Sequence, residues 1–297
     1  MTFDHDKGAT GGRGSVRVLE ADPDLGAGLS GPRRAEAARR LVVRTLGARA
    51  GTLPDSALRV SGPDGFGLLV LDGVIARELL LSDNVSAELL GAGDLLQDCR
   101  ADDPSRLLRS RVRWTVIEPA RVAVLGSRFA AELSDYPEIT AVLVARMVER
   151  THRVAMNHAI AQLTGVDRRA LAVFWHLAER WGHVSAAGVE VPLRLPHRIL
   201  AQIVGARRPT ISTALTRLTE RGEIARREDG GWTLLGDPVG LPTEEVGRVI
   251  SLRHRRFASA GVSDQPRTKA TTRCETAPPE RPQLLTACIA ISTRTRR

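Results

Sequence analysis

The stretch LPHRILAQIVGARRPTISTALTRLTERG, residues 195–222, reads as two helices joined by a tight turn. The first opens at Pro196, whose missing N–H is no loss in a first helical turn, and it stops at Gly205. The second opens near Pro209 and stops before Gly222, again with proline at the start and glycine at the end. Only about three residues separate them, so the helices must cross at a steep angle. Three positions then become special. Ala201 is small where the helices cross, and Gly205 can take the left-handed conformation of the turn. Ile211 fills the wedge between the helices with Leu200, Ile203 and Leu215. A small residue, a glycine four later and an apolar residue six after that is the helix-turn-helix spacing.

The outer face of the second helix carries Arg207, Arg208, Thr210, Ser212, Thr213, Thr216 and Arg217. Short hydroxyls permit close approach to duplex DNA, and arginine matches guanine bidentately in the major groove. A helix N-terminus also favours a phosphate. The next segment, EIARREDGGWTLL at 223–235, is expected to form two strands around Asp229-Gly230, which makes a wing.

Upstream, Asp135 is the expected N-cap of a long helix with Pro137 in its first turn and Glu138 at the capping-box position. Its apolar positions Ile139, Leu143, Met147, Thr151, Val154, His158 and Ala161 recur every three or four residues to about 163. A periodic helix of that length implies a partner helix, hence a homodimer. A second helix is expected over 167–181, capped by Asp167 and stopped by Gly182, with Leu171, Phe174, Trp175, Ala178 and Trp181 as its buried stripe.

Before residue 135 the texture differs. A helical pattern at 33–46 (Ala37, Leu41, Val42, Leu46) gives way to short apolar runs. Residues 67–71 and 74–79 flank Asp72-Gly73, a hairpin signal; 85–90 reads as a strand closed by Gly91-Ala-Gly-Asp94. Residues 111–117 and 120–125 read as strands broken at Glu118-Pro119. Short strands at this spacing imply a sandwich or barrel. The expected fold class is therefore α+β, an N-terminal β-roll followed by a long dimerisation helix and a C-terminal winged helix-turn-helix. The expected divisions are a disordered stretch at 1–32, a sensor-like roll at 33–134, the dimer helix at 135–164, the DNA-binding domain at 165–238 and a disordered basic tail at 239–297.

Bulk properties agree with a globular protein: 42% of residues are hydrophobic and 26% charged. No apolar run approaches the ~20 residues that a membrane span needs. The polar, Gly-rich first fifteen residues are unlike a secretory signal, so the expected location is cytoplasmic. Cys99, Cys274 and Cys288 are scattered and form no metal pattern. The net charge of +9 is less informative than it looks. Eleven Lys and Arg against five Asp and Glu give 239–297 a net of +6, leaving +3 for the other 238 residues. The nucleic-acid reading rests on pattern.

With those residues in hand, 65–235 resembles the Crp/Fnr family of bacterial regulators, which place a cyclic-nucleotide-binding-like β-roll before a dimer helix and a winged helix-turn-helix. Gln202-Ile-Val-Gly205 followed by Arg207-Arg208-Pro209-Thr210-Ile211-Ser212 carries the resemblance. It implies that Arg208 holds the position of the family's guanine-reading arginine. Pro209 stands where many members have a base-reading Glu, and Thr213 where many have a second Arg. Residues 68–73 and 91–94 resemble the family's first hairpin and its Gly-Asp turn. The resemblance also implies RNA polymerase as a partner, and no membrane.

A cyclic-nucleotide pocket of that family needs a helix N-terminus for the phosphate, a Glu for the ribose and an Arg-Ser pair for the charge. Here the stretch after Asp94 lacks the Gly-Glu pair, and Arg109-Ser110, the candidate ligand-binding pair, stands one residue out of step, so no cofactor is expected, with a cyclic nucleotide as the alternative. Three scattered cysteines are too few for an iron–sulfur site. His152 and His158 lie on the long helix with no partner visible, and the sequence decides neither for nor against a haem ligand there. No GxxxxGK[ST], HExxH or GxSxG element points to an enzyme, and Asp102-Asp103 reads as a solvated loop. The alternative to a sequence-specific regulator is a ligand-independent architectural DNA-binding protein.

Overall fold

A computed structural model describes residues 10–62, 64–97 and 107–236. The expected basic tail, the three cysteines and Asp102-Asp103 lie outside those residues. In chain order the first part contains β1 (Thr10–Arg17), α1 (Val18–Ala21), α2 (Gly31–Arg40), β2 (Val42–Ala48), β3 (Gly51–Leu53), α3 (Asp55–Leu58), β4 (Gly67–Leu81), β5 (Asn84–Leu90), β6 (Leu95–Leu96) and β7 (Arg111–Leu125). Then follow α4 (Ser127–Glu132), α5 (Pro137–Ala161), α6 (Val166–Trp181), β8 (His183–Ser185), β9 (Gly188–Val191), α7 (His197–Val204), α8 (Arg208–Glu220), β10 (Ile224–Arg226) and β11 (Trp232–Leu234). No described helix is long and apolar enough to cross a membrane.

Two strands of fifteen residues, β4 and β7, pair antiparallel along their length and carry the roll. Each serves different short partners at its two ends: β6 and β2 at one, β5 and β3 at the other. Between the ends the pairing register shifts at Asp72, Val74 and Ile75, and the sheet doubles over on itself. Leu68, Val70 and Ile75 from β4 thus meet Trp114, Val116 and Val122 from β7 inside the roll. The alternate positions face outward and are buried too. Leu69 packs under α1, α2 and α5, whereas Val74 and Ala76 pack under α6 and α7.

Three sequence expectations change here. Asp72-Gly73 is a bulge inside one strand and not a hairpin turn. Gly73 has φ of +87°, and a Cβ there would sit 2.4 Å from the Pro119 carbonyl on β7, so the glycine lets two kinked strands touch. Glu118-Pro119 likewise bends β7 without breaking it. The true hairpin turn is Ser82-Asp83, with Ser82 at φ of +51°. The helix expected over 33–46 ends at Arg40, and the β-branched run Val42-Val43 begins β2, which pairs with β1 and β7.

The stretch before residue 33, expected to be disordered, forms β1, α1 and a 3₁₀ turn at Pro23–Gly26 from residue 10 onward. Val18, Leu19 and Leu25 are buried there, and burying each such side chain is worth roughly 1.5–3 kcal/mol. Apolar residues spaced thinly among Gly and Asp show no periodicity, yet each finds a site on the outer face of the roll.

The long helix α5 has 25 residues, a length of about 37 Å, and begins after Tyr136. Asp135 does not cap it; its carboxylate pairs with Arg40 at 2.9 Å. Nor does Asp167 cap α6, which follows Gly165. Asp167 lies in the first turn and pairs with Arg221 at 3.2 Å. Ile139 and Leu143 are consumed by the roll, whereas Val144, Met147, Val148 and Val154 remain exposed along α5.

Candidate nucleic-acid interface

Gly205 ends α7 with φ 67° and ψ 47°, and the Ala206 N–H donates to the Ala201 carbonyl at 2.9 Å. No atom lies within 4 Å of a Cβ built at Gly205, so the glycine answers a backbone conformation and not crowding. Ala201, Leu200, Ile203, Ile211 and Leu215 are all buried where α7 and α8 cross. Arg207 occupies the N-cap of α8 and Pro209 its first turn.

Along α8, Arg207, Arg208, Thr210, Thr213, Thr216 and Arg217 are exposed and Ser212 is half-buried. Ser212 donates its hydroxyl to the Arg208 carbonyl at 3.1 Å, Thr213 to Pro209 at 3.2 Å and Thr216 to Ser212 at 3.2 Å. Those hydrogens are committed to the helix, so these residues offer oxygen lone pairs and, on the threonines, methyl groups.

The arginines of this region divide into two sets. Arg221 pairs with Asp167 and Glu223, and Arg227 with Asp229 and Glu190. Arg207, Arg208 and Arg217 make no ion pair with any described carboxylate. Arg217 lines a cleft of about 680 Å³ between the start of α6 and α8, beside Arg168 and Thr210.

The wing is β10 and β11, joined by a turn in which the Asp229 carboxylate accepts from the Gly231 N–H at 2.8 Å. It continues into β9 and β8, so the full sheet has four strands in the order β10-β11-β9-β8. Strands of three and four residues leave too short a pattern for the sequence to show. Phe174 from α6 and Trp232 from β11 pack at 5.2 Å between ring centres and tie the sheet to the helices. Arg226 lies over the Trp232 ring at 4.5 Å.

The DNA-binding segment is bolted to the roll by two buried carboxylates. Glu78, fully buried on β4, accepts from Arg113 at 2.7 and 2.9 Å, from Thr115 at 2.7 Å and from Arg198 of α7. Burial works against its charge, but hydrogen bonds from Arg113, Thr115, Arg198 and Gln202 prevail and lower its pKa to about 2. Asp94, in the turn after β5, accepts from Arg153 of α5 and Arg180 of α6, each at 2.6 Å, and from the Gly91 N–H at 3.0 Å. Sequence reasoning missed Glu78, Arg198 and Arg180. The available signal was a carboxylate on β4 in phase with the apolar Val74 and Ala76.

Neither Arg109 nor Ser110 lines the cavity between the roll and α5. They precede β7, with Arg109 exposed. The cavity between roll and α5, about 260 Å³, is lined instead by Arg77, Glu88, Asp94, Gln97, Arg146 and Arg150. Its charges are already matched: Arg150 and Arg77 pair with Glu88, and Arg146 pairs with Asp22. Burial disfavours the Glu88 carboxylate, and those two arginines outweigh it and hold its pKa below the ordinary range.

A kinked β-roll, a long helix and a winged helix-turn-helix in one compact unit are the architecture of a DNA-binding regulator. Residues 168–242 match the family model of the Crp-like helix-turn-helix domain. The CRP-like cAMP-activated global transcriptional regulator of Mycobacterium tuberculosis is 29% identical over 182 residues, covering 61% of this chain and 75% of that relative. Among solved structures, FixK2 from Bradyrhizobium japonicum superposes with a TM-score of 0.51 at 14% identity, over 75% of this chain and 100% of that one. A cyclic nucleotide-binding domain containing protein from Listeria monocytogenes gives 0.51 at 16% identity, over 72% and 97%. The chain is a DNA-binding transcription regulator with a Crp-like helix-turn-helix, and it is similar to Crp-like regulators.

Proposed function

We propose that the chain works as a homodimer that reads an inverted-repeat operator, with α8 as recognition helix, 33–134 as a sensor-like roll, 135–164 as the dimer helix and 165–238 as the DNA-binding domain. The observation that carries this reading is the set of unpaired guanidiniums of Arg207, Arg208 and Arg217 on an exposed helix face. Thr210, Ser212, Thr213 and Thr216 fill the spaces between them. An unneutralised arginine row suits a polyanion whose counterions are released on contact. The exposed stripe on α5 supports pairing with a second copy, and RNA polymerase is the expected partner on DNA. Selection from a random duplex library should return an inverted repeat with half-site centres ~34 Å apart. Recovery of sequences without a shared half-site would reject it.

The ligand-independent reading is favoured by the charge-matched cavity beside α5. A nucleotide phosphate entering there would have to displace Glu88 or Asp94 from their arginines. Calorimetry with cyclic AMP should therefore show no micromolar binding. Such binding, abolished by Arg109→Ala, would establish a nucleotide-gated regulator instead.

A further inference from the structure

His197 opens α7 at the point where that helix meets the recognition helix, and its side chain is half-buried. Its Nδ1 lies 3.0 Å from the Ser212 hydroxyl oxygen. With the Ser212 hydroxyl donating to the Arg208 carbonyl at 3.1 Å, Nδ1 carries the ring proton and donates to Ser212. In the neutral ring, Nε2 is then a bare lone pair. It has no hydrogen-bond partner among the described residues, and the side chain is half-buried. Two charges act on the ring: Arg208 from α8 and Arg226 from β10, the latter held over Trp232. Glu78, the roll carboxylate that α7 reaches through Arg198, is occupied by Arg113 and Arg198.

We propose that His197 is a proton-coupled phosphate contact, which binds the DNA backbone through Nε2–H only as the imidazolium. The inference rests on the reading of α8 as the DNA-facing helix. A neutral ring turns an acceptor toward phosphate and repels it; protonation adds the one missing donor without disturbing the bond to Ser212. In the free protein, burial first and then Arg226 and Arg208 disfavour the imidazolium, so its pKa lies below the ordinary 6.5. A phosphate seated against the Nε2 side of the ring reverses the sign of that field.

Linkage fixes the direction. The complex has the higher pKa, so DNA binding takes up a proton and affinity rises as pH falls through the window between the two values. The rise is at most about tenfold per pH unit for each half-site. Because the contact is to backbone, a random-sequence duplex of about three helical turns is a sufficient probe.

The experiment titrates that duplex from about pH 5.5 to 8 at fixed salt with the full-length protein, His197→Gln and His197→Arg. The glutamine variant keeps a partner for Ser212 and should bind with the weak, high-pH affinity of the parent at every pH. The arginine variant should bind with the strong, low-pH affinity throughout. A pH slope that survives in both variants overturns the proposal, as does a parent with no slope. Absence of duplex binding at any pH would instead refute the DNA-facing assignment of α8.

Discussion

The Arg198 guanidinium of α7 reaches out of the DNA-binding domain and closes on the Glu78 carboxylate buried in β4 of the roll. Arg113, directly across the strand pair from Glu78, grips the same carboxylate bidentately. The two arginines are therefore not equivalent. Loss of Arg198 leaves Glu78 with Arg113 and Thr115, whereas loss of the Glu78 charge strands Arg113 and Arg198 together. Glu78→Gln should destabilise the folded chain by roughly 3 kcal/mol and Arg198→Ala, whose partner pair is half open to solvent, by about 1 kcal/mol or less. Urea unfolding of the two variants compares them directly. Equal losses would mean that the interdomain bond, and not the cross-strand one, sustains the charge.

The same carboxylate sets an acid response. Its folded pKa of about 2 lies below the ordinary 4.5, so its contribution is complete above 4.5 and is lost as pH falls toward 2. The difference corresponds to roughly 3 kcal/mol. Glu78→Gln should flatten the stability-against-pH curve in that window and leave it unchanged near neutrality in shape. A parent and variant that lose stability in parallel below pH 4.5 would contradict the assignment.

Asp94 and Asp72 make a second contrast between like residues. Asp94 is buried between Arg153 and Arg180, while the Asp72–Arg121 pair at 2.9 Å is more than half exposed at both ends. Burial pulls the Arg180 guanidinium down from its ordinary value, and Asp94 opposes that pull. Asp94→Asn should cost about 3–5 kcal/mol by leaving two enclosed guanidiniums uncompensated. Asp72→Asn should change stability by well under about 1 kcal/mol. Thermal unfolding of both is the check; a mild Asp94→Asn would show that water reaches the turn after β5.

What was legible beforehand follows from the range of the signal. The helix-turn-helix is local: Ala201, Gly205 and Ile211 fall within eleven positions, and each role is dictated by its neighbours. The exposure of Arg207, Arg208 and Arg217 on α8 was legible from the same short span. The roll depends on partners tens of residues away. Gly73 looks like a turn because its φ is positive, but only Pro119 on the opposite strand decides that it is a bulge. Leu41 continued a helical period by coincidence while Val42 and Val43 already belonged to a strand. His197 carried no signal alone; its role emerges from Ser212, fifteen positions on, and from Arg226 in the wing.

The α5 seam gives a prediction about assembly. Val144, Met147, Val148 and Val154 lie exposed on successive turns, with Thr151 between them. Val148→Glu should place a charge in the middle of a paired seam and yield a monomer at micromolar concentration, with helical content retained. Sedimentation velocity reads the state. Dimers that persist in the variant would move the interface elsewhere.

Arg208 and Arg217 should separate base reading from anchoring. Arg208 is the first residue of α8, exposed and free of any described carboxylate, where a helix lying in the major groove meets base edges. Arg217 lies nine residues further along and lines the cleft beside α6. A bidentate arginine–guanine pair discriminates by roughly 1–3 kcal/mol, so Arg208→Ala should weaken specific binding by roughly 5- to 150-fold and relax preference at one base pair per half-site. Arg217→Ala should weaken all sequences alike and reduce the salt slope by about one. Titration of each variant on the selected operator, on single-base variants and on random duplex at several salt concentrations distinguishes them. If Arg208→Ala lowers operator and random binding by the same factor, Arg208 holds a phosphate, and sequence reading must come from Thr210, Thr213 and the other exposed residues of α8.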